Sequence, residues 1–227
     1  MAHLSPQTLT RDEQRALLLI TAPELRDHLI FSLALGTGLR LGELVGLDVG
    51  DVFFPTGVPR ERIRVRAAIA KRGRVGDVFL PEALVPKLAR FWSYKRERNE
   101  CTTPQAPLFC GLSRRRISTR RVHVLFHAWQ ERAGFGRHYP FHGLRHYAAV
   151  TNVYRSSRDL FLAQRFARHA SPLTTVIYTR VTKSCVRGCA TCSADRLTTR
   201  WDASSAPKPR HPPRGPTVPR TRAESGC

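Results

Sequence analysis

The apolar period of this chain changes once and then changes back, and that switch sets the architecture. From Thr10 to about residue 46 the apolar side chains recur at helical spacing. At Arg62-Ile63-Arg64-Val65-Arg66, and again from Val75 to Leu80, they alternate with polar ones, and from about residue 82 helical spacing returns. The two alternating runs flank Lys71-Arg72-Gly73-Arg74, which predicts a β-hairpin or sheet edge with a basic tip. The expected fold class is mainly α with a small antiparallel β-sheet (α+β).

Local signals mark the helices. Thr10-Arg11-Asp12-Glu13 has the form of a capping box, with Leu17, Leu18 and Ile20 beginning an apolar face behind it. Pro23 suits the first position of a second helix carrying Leu25, Leu29, Ile30 and Leu33, and Gly36 is placed to close it. A short third helix is expected from about Leu39 to Gly46. Others are expected at about 82–99, 118–133, 142–155, 158–168 and 172–182, with Gly134 ending one and Ser171-Pro172 opening the last.

Charge narrows the class of partner. Lysine and arginine number 38 against 17 aspartate and glutamate, a net of +21. Self-repulsion on that scale makes an acidic partner more than incidental, and nucleic acid is the first guess. No run approaches the roughly 18 apolar residues of a membrane span, and MAHLSPQTLTRDEQ has no signal-peptide pattern. Six cysteines in a chain without an export signal read as reduced thiols, so a cytoplasmic, nucleoid-associated protein with no membrane role is expected.

Composition also divides the chain. Residues 1–8 read as a lead, 9–182 as one folded domain and 183–227 as a basic tail rich in proline, serine and arginine. The tail holds nine basic and three acidic side chains, so +15 of the +21 belongs to the rest. With few large apolar groups it cannot offset its ordering entropy and is expected to be disordered. Cys185, Cys189 and Cys192 supply three thiols but no evident fourth ligand, and no zinc site is expected there.

Four segments concentrate polar groups beside apolar helix faces. In Thr37-Gly38-Leu39-Arg40-Leu41-Gly42-Glu43-Leu44, Arg40 and Glu43 can meet at i, i+3, either as a surface ion pair or as part of a site. Lys71 sits at the hairpin tip among other basic residues, and local chemistry does not single it out. In Phe141-His142-Gly143-Leu144-Arg145-His146-Tyr147, His142 and Arg145 share a helical face, an arrangement suited to an anion. In the fourth, Arg168-His169 precedes a helix start and Tyr178 follows nine residues after the histidine.

Together these segments resemble the catalytic domain of the tyrosine recombinases, the phage integrase family. The resemblance rests on TGLRLGEL at 37–44, the hairpin around Lys71, HGLRH at 142–146 and RHASPLTTVIY at 168–178, in the family's order, and runs from about Leu9 to Val181. It implies a site-specific recombinase that cleaves and rejoins DNA through a 3′-phosphotyrosine intermediate. Tyr178 would be the nucleophile and Arg40 and Arg145 the phosphate clamp, since a planar guanidinium meets two nonbridging oxygens at once. Lys71 would protonate the leaving 5′-oxygen, His142 and His169 would bond the phosphate and assist proton movement, and Glu43 would support a basic neighbour. No metal and no cofactor is implied, because fixed cations supply the positive charge and the phosphotyrosine keeps the bond energy. Double-stranded DNA is the implied partner, and family members assemble as tetramers on it.

The match departs from the family at three places. The family's N-terminal DNA clamp is not expected in a chain whose resemblance starts near Leu9. Ala167-Arg168 stands where the family most often has Leu-Gly, and the sequence past Val181 does not look like the helix that members pass to a neighbour. Two alternatives therefore stay open: an inactive DNA-binding relic, which the complete set of candidate residues argues against, and an enzyme like the type IB topoisomerases.

Overall fold

The computed structural model describes residues 8–73, 75–148 and 153–169. Its helices are α1 (Arg11–Thr21), α2 (Leu25–Thr37), α3 (Leu41–Gly46), α4 (Val49–Val52), α5 (Val85–Glu97), α6 (Thr119–Arg132), α7 (His142–Tyr147), α8 (Arg155–Ser157) and α9 (Leu160–Ala167). Two antiparallel strands, β1 (Arg62–Val65) and β2 (Gly76–Phe79), form the sheet. The mainly helical fold with one small antiparallel sheet is as the periodicity predicts.

α2 is the centre of the fold, because it is apolar nearly all round and must be covered on every side. Leu29, Ile30, Phe31, Leu33, Ala34 and Leu35 are all buried, and α1, α5 and α7 pack around them. Polar groups taken into this core are bonded, as burial demands. Asp27 accepts from Trp129 Nε1 at 2.9 Å, and Lys95, fully buried, reaches Glu100 at 2.8 Å and the carbonyls of Pro107 and Leu108.

The caps explain where elements stop. Thr10 and Glu13 form the reciprocal capping box of α1, and the same Glu13 carboxylate accepts from the Tyr139 hydroxyl. At the end of α6, Gly134 takes the left-handed conformation while its N–H and that of Phe135 return to the carbonyls of Glu131 and Gln130. Two expected boundaries move. Pro23 lies in the turn before α2, which starts at Leu25. α2 closes at Gly38 (φ +63°) rather than Gly36, because Gly36 is spent on packing: a Cβ there would lie 2.9 Å from Leu84 Cδ1.

The helix expected over 142–155 is α-helical only to Tyr147, with π-helical winding at Ala148 and again at 153–154 before α8. In the hairpin, Ile63, Val65 and Val78 face the core while Arg62 and Phe79 pair on the outer face, the guanidinium 4.6 Å from the ring centre. The expected helix at 172–182, the cysteines of the tail, the tail's expected disorder and Tyr178 lie outside the described residues. Among the described residues, no helix is long and apolar enough to cross a membrane.

Breaking the Lys95–Glu100 pair tests how this core is held. Lys95→Ala leaves two carbonyls without their donor and the Glu100 carboxylate with only Arg98, at 3.4 Å, and is expected to cost about 3 kcal/mol, read as a lowered midpoint in urea unfolding.

Candidate active site

The site begins at the corner between α2 and α3. Gly38 is required twice there: its φ of +63° suits glycine, and a Cβ would lie 2.9 Å from the Phe166 ring of α9. The tight corner brings Arg40 to the N-cap of α3, where Glu43 accepts from the Arg40 backbone N–H and from its Nη1, each at 2.9 Å. This is more than a solvated i, i+3 pair, because Glu43 is only 2% exposed and has a second arginine, Arg168, on its other oxygen. Burial alone would raise the Glu43 carboxyl, but the Arg40 N–H and the charges of Arg168 and Arg40 outweigh it and hold the group ionised below its usual range.

α7 supplies the next groups. Leu144 and Tyr147 anchor it, the Tyr147 hydroxyl donating to Gln14 Oε1 at 3.0 Å. Arg145, 3% exposed, turns inward and donates to the carbonyls of Gly38 and Ala167, so one guanidinium joins the α2–α3 corner to the end of α9. His142 keeps an edge open to solvent while its ring packs edge-on to His146, 4.3 Å between centres.

α9 ends in a Schellman turn. Arg168 is left-handed (φ +49°), with its N–H and that of His169 bonded back to Arg165 and Gln164. A non-glycine residue in this region costs roughly 1 kcal/mol or more, yet the turn delivers His169 to the site and places the Arg168 carbonyl 3.5 Å from Arg40 Nη2. Lys71 is exposed in a single 3₁₀ turn at the hairpin tip.

The electrostatics show which groups are neighbours. Desolvation, followed by the charges of Arg145, Arg40 and Lys71, lowers the pKa of His142. His169 is lowered to about 4 by desolvation and then by Arg145, Arg40 and His142, and His146 to about 3 by desolvation, His142, Arg145 and His169. With the Arg168 guanidinium turned to Glu43, the cluster therefore presents Arg40, Arg145 and Lys71 beside neutral imidazoles, an arrangement that favours an anion and offers both donors and acceptors of protons. Four of the expected site residues (Arg40, His142, Arg145 and His169), with Glu43, are thus drawn together from distant segments, and the exposed Lys71 reaches them through its charge on His142.

Two members of the cluster escape a reading of the sequence alone. His146 lies four residues from His142 on one helix, a spacing that could have flagged it, and Arg168 reads there only as a departure. Among the described residues, one further group has metal-ligating side chains: His127, Glu131 and His138, all exposed. Its imidazoles stack face to face, 3.9 Å between centres and 11° from parallel, so their in-plane lone pairs run side by side rather than converge.

Comparison with known proteins gives the context. The model of the phage integrase family matches residues 7–184. Tyrosine recombinase XerA of Pyrococcus furiosus is 34% identical over 182 residues, covering 78% of this chain and 58% of that protein. Tyrosine recombinase XerC of Neisseria meningitidis is 30% identical over 156 residues, covering 69% of this chain and 48% of that protein. The crystal structure of XerA recombinase superposes with a TM-score of 0.69 at 28% identity, over 83% of this chain and 65% of that one. XerH recombinase, in a post-cleavage complex with its difH substrate, shares the fold at a TM-score of 0.67 and 23% identity, over 83% of this chain and 54% of that one. The chain spans about half to three-fifths of the length of these curated relatives. With a family model matched across most of its length and relatives that agree in both sequence and fold, this chain belongs to the phage integrase family, the tyrosine recombinases.

Proposed function

We propose that the chain is a site-specific recombinase acting on double-stranded DNA. In the cleavage step the Tyr178 oxygen bonds to the scissile phosphorus, the phosphorus–O5′ bond breaks, and the strand is held as a 3′-phosphotyrosine. The phenolic proton passes to a neighbouring base, and Lys71 supplies a proton to the departing O5′; the reverse step rejoins strands without external energy. Arg40 and Arg145 hold the nonbridging oxygens, where charge develops in the transition state and preorganised donors act most strongly. His142 and His169 bond the same phosphate, and Glu43 fixes the direction of Arg40. Self-association on DNA and a nucleoid location fit this activity.

One observation supports the reading above the others. Arg145 bonds the carbonyls of Gly38 and Ala167 and Arg40 reaches the carbonyl of Arg168, so residues next to Arg40 and next to His169 meet on these two arginines, whose charges add to burial in lowering both His142 and His169. In the sequence Tyr178 follows His169 by nine residues.

The deciding experiment incubates the full chain with a randomised pool of short nicked duplexes and looks for a covalent protein–DNA adduct. Wild type is expected to form one and Tyr178→Phe none. A protein that binds DNA yet never forms the adduct is a DNA-binding relic, and an adduct that survives Tyr178→Phe has another nucleophile. Arg40→Lys, which keeps charge but loses the fork, is expected to slow adduct formation about 10²-fold in single-turnover kinetics.

Proton linkage gives a further check. Burial and the nearby cations lower the pKa of His142 and bring that of His169 to about 4, so the free site favours neutral imidazoles. A phosphodiester anion beside them raises those pKa values, so the DNA-bound form carries more protons in that window. Affinity is expected to rise as pH falls from about 8 to about 5.5, and His169→Gln to flatten the slope of binding affinity against pH.

A further inference from the structure

We propose that Arg168 is a positioning residue that closes a two-point clamp on the base of the β1–β2 hairpin and so holds Lys71 within reach of the leaving oxygen. The inference rests on the DNA-cleavage reading above and adds to it a residue that acts through the hairpin. A left-handed turn favours glycine, and an arginine kept there needs a reason beyond the turn. Its side chain is not a solvated surface group: it is 17% exposed, its guanidinium pairs with buried Glu43, and its Nε is buried with no hydrogen-bond partner.

What the side chain touches supplies the reason. Its stem lies against Gly76, the first residue of β2, so closely that a Cβ on Gly76 would be 3.1 Å from Arg168 Cδ. Gly76 pairs with Val65, the last rung before the tip that carries Lys71. The other strand is held at the same level. Arg66, directly after Val65, donates from Nε to both oxygens of Asp51 at 2.9 and 3.0 Å, pairs with Asp48, and donates to the Gly46 carbonyl at 3.2 Å. Two arginines thus fasten the two strand ends to the α3–α4 segment, one through Glu43 and one through Asp48 and Asp51.

A lever fixed at one strand end can twist about that point, and fixing both ends removes the freedom. The Lys71 ammonium rides on a long stem at the end of this lever, so a tilt at the base is amplified at the tip. Glu43 serves Arg168 through Oε2 and the Arg40 side chain through Oε1, which separates the two effects: losing Arg168 frees the hairpin while the Arg40–Glu43 pair persists.

The test uses the full chain with Arg168→Gly, which suits the left-handed turn, and Arg168→Met, which keeps the stem and loses the ion pair. Hydrogen exchange at the β2 amides is expected to quicken about tenfold in Arg168→Gly while α9 stays protected. Cleavage is then compared on a duplex captured from the random pool and on the same duplex with a 5′-bridging sulfur, whose thiolate leaves without a proton donor. General acid catalysis contributes roughly 10²–10⁴-fold, so partial misplacement of the acid should slow the oxygen substrate about tenfold and leave the sulfur substrate near wild type. Arg168→Met should fall between, and Arg168→Gly should add nothing to Lys71→Ala. Equal slowing on both substrates, or unchanged exchange in β2, overturns the proposal. If wild type forms no adduct on either duplex, the cleavage reading fails, and the exchange data alone decide whether Arg168 clamps the hairpin.

Discussion

The buried guanidinium of Arg145 is the constraint on which the site depends. A charge removed from water is costly unless bonded, and here the bonds go to two backbone carbonyls, Gly38 at the end of α2 and Ala167 at the end of α9. These carbonyls belong to segments far apart in sequence, so satisfying one side chain fixes the relation of three helices. Gly38 makes the approach possible, since the space a Cβ would need is filled by Phe166. One buried side chain therefore sets the relation of the segments that carry Arg40, His142 and His169.

Glu43 has the complementary role. It is a buried carboxylate among Arg40, Arg168 and the backbone N–H of Arg40, and it stays ionised because those donors outweigh its desolvation. One negative charge facing two arginines leaves the group net positive while orienting both. The neighbouring histidines respond first to burial and then to that field. His142, His146 and His169 all have lowered pKa values, so the resting site stores its positive charge in arginine and lysine and keeps its imidazoles neutral.

Much of the fold was legible because its signals are local. The Thr10–Glu13 capping box, the alternation of Ile63, Val65 and Val78, and the Gly134 stop each depend on neighbours within a few residues, and each stands where the periodicity placed it. Boundaries shifted where a distant contact took over: Gly36 carries the composition of a helix end but lies against Leu84 within the helix, and Gly38 closes α2 instead. In the site, Arg40, His142 and Arg145 were visible by residue type and spacing. The inward turn of Arg145 was not, since Gly38 and Ala167 are brought to it from elsewhere, and neither was the depression of His146, which comes first from burial.

Sequence alone therefore determined the kinds of element, their order and the chemical inventory of the site, because helical period, strand alternation and caps are short-range properties. Tertiary structure decided what that inventory does. Arg168 looks like a misplaced residue in a tight turn until Glu43 and Gly76 are set beside it, and Lys71 is one basic side chain among several until its charge is felt at His142. Charge, burial and hydrogen bonding act through space, and only folding turns separations of a hundred residues into a few ångströms.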